Sequence, residues 1–158
     1  MILNTLIYMK SISKNKHRVF LDTNIIVDVL SSEYRVHREA SRRIFQAMRS
    51  GDFEGFITTQ SILDTQYVLS REKGFSMERF GQVMLFIMSF VNVTQIDGIS
   101  IREALKNPSG DFEDNAQFAQ ADGDGYDVIV TSDRRFLARK SDNGPLFLTP
   151  EELIERMT

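Results

Sequence analysis

The stretch Arg18-Val19-Phe20-Leu21-Asp22-Thr23-Asn24-Ile25-Ile26-Val27-Asp28-Val29-Leu30 changes its hydrophobic period in the middle. Up to Leu21 it is a short apolar run, as in a buried strand. Beyond Asp22 the apolar residues Ile25, Ile26, Val29 and Leu30 recur at helical spacing. Asp22 therefore stands at the carboxyl end of a strand. In open α/β sheets that edge is where ligands bind, because the loops leaving parallel strands open a crevice there. An Asp ahead of a helix is equally an ordinary N-cap, its carboxylate accepting from an early backbone N–H. The choice between these readings turns on whether later strands also end in acids.

They do. Asp127-Val128-Ile129-Val130-Thr131 reads as a buried strand leading into Ser132-Asp133. Phe53 to Thr58 is a strand followed by a helix that carries Ile62, Leu63, Tyr67, Val68 and Leu69, holds Asp64 in its first turns and stops at Lys73-Gly74. After the loop Asn107-Pro108-Ser109-Gly110, the run Asp111-Phe112-Glu113-Asp114 opens another helix. Asp111 and Asp114 also have the spacing of an acidic capping box, so a purely structural role stands beside a functional one.

The remaining segments complete an alternation. Arg35, Arg38, Arg42 and Arg43 oppose Ala40, Ile44, Ala47 and Met48 on an amphipathic helix ended by Ser50-Gly51. A helix from about Ser76 buries Phe80, Val83, Met84 and Ile87, Val91 to Val93 is a weaker strand, and Ile99 to Leu105 is a short helix. Leu146 to Leu148 is the last strand. Thr149-Pro150-Glu151-Glu152 starts the last helix, with Thr as cap and Pro in the first helical position. Strands alternating with helices predict a three-layer α/β/α sandwich with a mostly parallel central sheet of about five strands. Right-handed crossovers bring Asp22, Asp64, Asp114 and Asp133 to one edge of it.

At 158 residues, 42% hydrophobic, the chain suits one domain, residues 18–158, preceded by a loosely ordered leader, residues 1–17. A net charge of −3 argues against coating nucleic acid or an anionic membrane by bulk charge, though a groove meeting phosphate need only be locally basic. There is no secretory signal and no membrane-spanning stretch, so a soluble cytoplasmic protein is expected. With no cysteine and only His17 and His37, any metal must be held by oxygen, which favours Mg²⁺ or Mn²⁺. Two carboxylates about 5 Å apart at an effective dielectric of roughly 20 repel by on the order of 3 kcal/mol, and a cation is the natural relief.

Leu21-Asp22-Thr23-Asn24-Ile25, Ser61-Ile62-Leu63-Asp64, Asp111-Phe112-Glu113-Asp114 and Val130-Thr131-Ser132-Asp133 together resemble the successive motifs of PIN-domain ribonucleases, the family that includes VapC-type toxins. The resemblance runs from about Arg18 to Glu151. It implies a Mg²⁺- or Mn²⁺-dependent endoribonuclease acting on single-stranded RNA, with Asp22, Asp64, Asp114 and Asp133 as the metal-binding catalytic acids. Asn24 would brace the first acid, Asp111 would be an accessory acid, and Thr131 and Ser132 would shape the cleft. The resemblance also implies a homodimer and, for a toxin, a small antitoxin protein as partner. Many family members carry Glu where this chain has Asp64, so a water-bridged contact is the alternative there.

Arg134 and Arg135, directly after Asp133, are the candidate phosphate-binding residues. Arg35, Arg38, Arg42 and Arg43 are a second basic group whose other reading is a solvated helix face. Two competing classes are a catalytically weak PIN-fold module that binds RNA or protein, and a phosphoacceptor domain. The latter needs a strand-end lysine, and Lys140 follows only after a helix-like stretch.

Overall fold

The computed structural model describes residues 16–107, 110–139 and 143–157. Most of the leader, Pro108, Ser109 and Lys140 lie outside these. Five strands, β1 (Arg18–Leu21), β2 (Glu54–Thr58), β3 (Asn92–Thr94), β4 (Val128–Val130) and β5 (Leu146–Leu148), form one sheet in the order β3-β2-β1-β4-β5, every pair parallel. Among the described residues eight helices alternate with them: α1 (Thr23–Leu30), α2 (Arg38–Ser50), α3 (Thr59–Leu69), α4 (Met77–Met88), α5 (Gly98–Lys106), α6 (Phe112–Gly123), α7 (Arg134–Leu137) and α8 (Pro150–Met157).

Strand residues divide by parity between two cores. Val19, Leu21, Ile57, Val128 and Val130 join a large cluster with Ile25, Ile44, Met84 and Leu153 from the helices of one face. Phe20 and Ile129 point the other way, into a smaller cluster with Ala121, Tyr126 and Phe136. A central strand covered on both faces has no polar side, which is why β1 and β4 read as unbroken apolar runs. The predicted three-layer sandwich is the observed one.

The amphipathic reading of α2 holds from Ser41 onward, with Ile44, Phe45, Ala47 and Met48 buried and Arg42 and Arg43 exposed. Gly51 ends the helix in the left-handed region at φ 80°, its N–H returning to Ala47 and Met48 carbonyls. Gly55 lets α2 lie directly on β2, since a Cβ there would stand 1.8 Å from Met48 Sδ.

Arg35 and Arg38 depart from the expected basic face. Arg35 precedes α2, and its Nε donates at 2.9 Å to Oδ1 of Asp28, which is 2% exposed. Arg38 donates to the carbonyls of Asp28, Ser31 and Glu33. A carboxylate buried on α1 requires a cation, and these two arginines fold back to the α1 terminus instead of facing solvent. Further on, α3 ends at Leu69, four residues before the predicted stop, and the turn after it sends Glu72 to bond Ser31 and Ser32. Leu63 and Tyr67 are 63% and 57% exposed, the helix being seated by Ser61, Thr65 and Leu69.

Candidate active site

The strand order places the topological switch between β1 and β4, because the chain leaves β1 toward β2 on one side and returns to β4 on the other. A crevice of about 250 Å³ opens at the carboxyl ends there, lined by Asp22, Thr23, Asn24, Asp64, Val68, Asp111, Glu113, Asp114 and Asp133. All four acids singled out in the sequence line it. Asp22 comes off the end of β1, Asp133 follows β4, Asp64 projects from α3, and the other three acids sit at the start of α6.

Asp22 occupies the N-cap position of α1 yet makes no side-chain cap bond. Its Oδ2 accepts instead from Thr131 Oγ1 at 2.7 Å, and its N–H donates to the Val130 carbonyl. Only 6% exposed, Asp22 has its pKa pushed up to about 6 by burial. The bonds from Thr131 and the Thr23 backbone oppose that rise, while the charges of Asp114 and Asp133 add to it. Thr131 Oγ1 also accepts the Asp133 N–H at 3.0 Å, so one hydroxyl links the first acid to the loop carrying the last.

Asp133 and Asp111 combine capping with proximity to the crevice. Asp133 Oδ1 accepts from the Arg135 N–H at 2.8 Å at the start of α7. Asp111 Oδ1 accepts from the Glu113 and Asp114 N–H groups at 2.9 and 3.4 Å, so the capping reading of Asp111 is correct. Asp114 has its pKa raised by burial and then by Asp133 and Asp111, against Arg139 and Arg135, which lower it. Glu113 is pushed up to about 6 by burial first, then by the charges of Asp64, Asp22 and Asp111.

Asp64 Oδ1 accepts from Gln60 Nε2 at 2.8 Å, while Oδ2 is buried with no donor among the described residues. Among the described residues no three acidic or imidazole side chains are arranged to ligate a metal ion as they stand. The donor set nevertheless fits a hard divalent cation. Its acids supply carboxylate oxygens, one of them orphaned, and like charges add to the effect of burial in raising Asp22 and Asp114, with Arg139 and Arg135 opposing at Asp114. A larger hollow of about 630 Å³ lies between α5 and α6, away from the four acids. There Gln120 Oε1 already accepts from the Asp97 N–H and Ser100 Oγ, and its Nε2 donates to Asp124.

The sequence profile of the PIN domain matches residues 18–135, from β1 through the last acid. The chain belongs to the PIN-domain family. Ribonuclease VapC1 of Aquifex aeolicus is 29% identical over 145 residues, spanning 90% of this chain and 96% of that relative. VapC20 of Mycobacterium tuberculosis, described as a sarcin–ricin-loop-cleaving toxin, has the same fold with a TM-score of 0.60 at 17% identity, over 80% of this chain and 99% of that one. A toxin–antitoxin complex from Klebsiella pneumoniae gives a TM-score of 0.58 at 16% identity, over 84% and 97%.

In this PIN domain Asn24 lines the crevice, while the side-chain bond to Asp22 comes from Thr131. Ser132 is half-buried between Thr131 and Asp133. Arg134 and Arg135 are exposed, Arg135 Nε lying 3.9 Å from Asp133 Oδ1. Sequence reasoning gave no role to Glu113, which lines the PIN crevice, or to Arg139, whose charge acts on Asp114. Glu113 carried a usable signal, the pairing with Gln117 four residues on. Arg139 carried none, because its place over the Phe118 and Phe136 rings and beside Asn115 is set by tertiary packing.

Proposed function

We propose that this PIN domain is a Mg²⁺- or Mn²⁺-dependent endoribonuclease that hydrolyses phosphodiester bonds of single-stranded RNA, and that it is the toxin of a toxin–antitoxin pair. The observation that carries the reading is the meeting of Asp22, Asp64, Asp114 and Asp133 at the β1/β4 switch, where burial and neighbouring acids raise the pKa of Asp22 and Asp114. These four would hold the cation. When bound, it supplies the charge that stabilises developing oxyanions and makes water acidic enough to attack phosphorus at neutral pH.

The chain's own groups prepare the rest. Thr131 fixes the orientation of Asp22, and the α7 cap fixes Asp133. Arg134 and Arg135 stand exposed beside Asp133, where they would meet the phosphate backbone. The ribonuclease name of a relative supports the activity. The toxin–antitoxin complex among the structural neighbours supports a small antitoxin protein as partner. No described helix is long and apolar enough to cross a membrane. A homodimer is the assembly we propose, with the exposed Leu63, Tyr67 and Val68 on α3 available to a protein partner.

The test is cleavage of single-stranded RNA in Mg²⁺ or Mn²⁺ by wild type, Asp22→Asn and Asp133→Asn. Cleavage should vanish in both variants and in chelator, with circular dichroism unchanged. Undiminished cleavage in both variants, or in chelator, would overturn the assignment.

A further inference from the structure

Glu113 stands outside the four-acid reading, yet the structure orients it as carefully as any of the four. It follows Phe112, the first residue of α6, and precedes Asp114. Adjacent helical residues project about 100° apart, yet here both side chains line the crevice, because the helix presents its first turn to it. One turn on, Gln117 donates from Nε2 to Glu113 Oε1 at 3.0 Å. Gln117 is 1% exposed and its Oε1 has no partner among the described residues. A buried amide left half-unsatisfied costs stability, and an apolar side chain would fill the same space without that cost. What the amide adds is a fixed direction for the Glu113 carboxylate.

Asp64 lines the same crevice, near enough for its charge to act on Glu113. The two acids are held alike: Gln60 bonds Asp64 four residues ahead of it, and Gln117 bonds Glu113 four residues behind. Among the described residues Asp64 Oδ2 has no donor. Two carboxylates from different helices, each braced by a glutamine amide, line the crevice together. Asp133 lies after β4, on the far side of β1 from β2, the strand that leads into α3 and Asp64.

We infer that Glu113 is a fifth oxygen ligand of the divalent cation, acting with Asp64 from the facing helix, and that Gln117 is its positioning residue. The inference rests on the proposed reading that this crevice holds the cation. It also answers the short reach of Asp64, since α6 would bring a longer side chain to the same ion.

The experiment measures Mn²⁺ binding to the full chain by electron paramagnetic resonance of the free ion, alongside melting in chelator. Glu113→Gln should weaken Mn²⁺ binding by about tenfold or more. Asp111→Asn removes the same charge from the same crevice but keeps the cap, and should weaken binding by no more than about threefold. Gln117→Leu should weaken binding while melting in chelator at or above the wild-type temperature. A merely structural glutamine would give the opposite, a lower melting temperature with unchanged affinity. If Glu113→Gln weakens binding no more than Asp111→Asn does, the inference is overturned. Asp22→Asn separates the two levels. If it too binds Mn²⁺ like wild type, the cation reading of the crevice fails; if it loses binding while Glu113→Gln keeps it, only the role of Glu113 fails.

Discussion

Thr131 Oγ1 donates a 2.7 Å hydrogen bond to Asp22 Oδ2 across 109 residues of sequence. The bond crosses the gap between β1 and β4, and the same oxygen accepts the Asp133 N–H. Thr131→Val keeps the shape, removes the donor and leaves two buried polar groups without their partner. Stability should fall by about 1–3 kcal/mol. RNA cleavage should fall roughly 10- to 100-fold, as when a group that orients a metal ligand is lost. Thr131→Ser retains the hydroxyl and should recover most of both. A valine variant as active as wild type would show that Asp22 is oriented by something else.

The pH dependence of the cation-free protein follows from Asp22, whose pKa rises from 3.8 to about 6 mainly through burial. Between those values the native state holds a proton that the unfolded chain has released. Stability from this group is therefore greatest below about pH 4 and declines until about pH 6. A shift of about two units corresponds to an upper limit of ~3 kcal/mol. Glu113 acts in the same direction, but solvent screens it more. In chelator, the difference in melting temperature between wild type and Asp22→Asn should widen from pH 4 to pH 6, with the variant the more stable. A pH-independent difference would contradict the buried-acid account.

The same arrangement shows how far the sequence could be read. The period change at Asp22 and the apolar runs of β1 and β4 gave the sheet and its ligand edge, because a parallel strand buried on both faces leaves a local pattern. Asp22, Asp114 and Asp133 were legible for the same reason, each lying next to a strand end or a helix start, and Asp64 lies in the second turn of the helix that follows β2. Arg35 was not, since a cation paired with buried Asp28 looks in sequence like any other arginine beside a helix. Gln117 was hidden too, as a polar residue on an amphipathic helix is ordinarily solvated, whereas here it is buried under Glu113.

The two arginine groups should behave oppositely. Arg35→Ala strands the buried Asp28 carboxylate, leaving among the described residues the Ser41 hydroxyl 3.2 Å away, and should cost on the order of 3 kcal/mol with little change in RNA affinity. Replacing Arg134 and Arg135 by Ala should leave the melting temperature nearly unchanged. It should weaken RNA binding and reduce the slope of log affinity against log salt by about one to two. An unchanged slope would place the RNA backbone elsewhere on the surface.

Asp114 distinguishes a metal site from a set of helix caps by the sign of a stability change. Asp111 performs the capping, its Oδ1 accepting the Glu113 and Asp114 N–H groups. The Asp114 carboxylate is left half-buried among like charges, with its pKa raised by burial, Asp133 and Asp111. Neutralising it removes repulsion, so Asp114→Asn should melt higher than wild type in chelator, by on the order of 3 °C after solvent screening. Mn²⁺ reverses the order, because binding to the native state alone stabilises it. Wild type should gain markedly at roughly millimolar Mn²⁺, a concentration suited to a weak carboxylate site, and the variant much less. If Asp114→Asn melts lower than wild type in chelator and gains equally from Mn²⁺, Asp114 is a structural residue of α6 and the four-acid site is wrong.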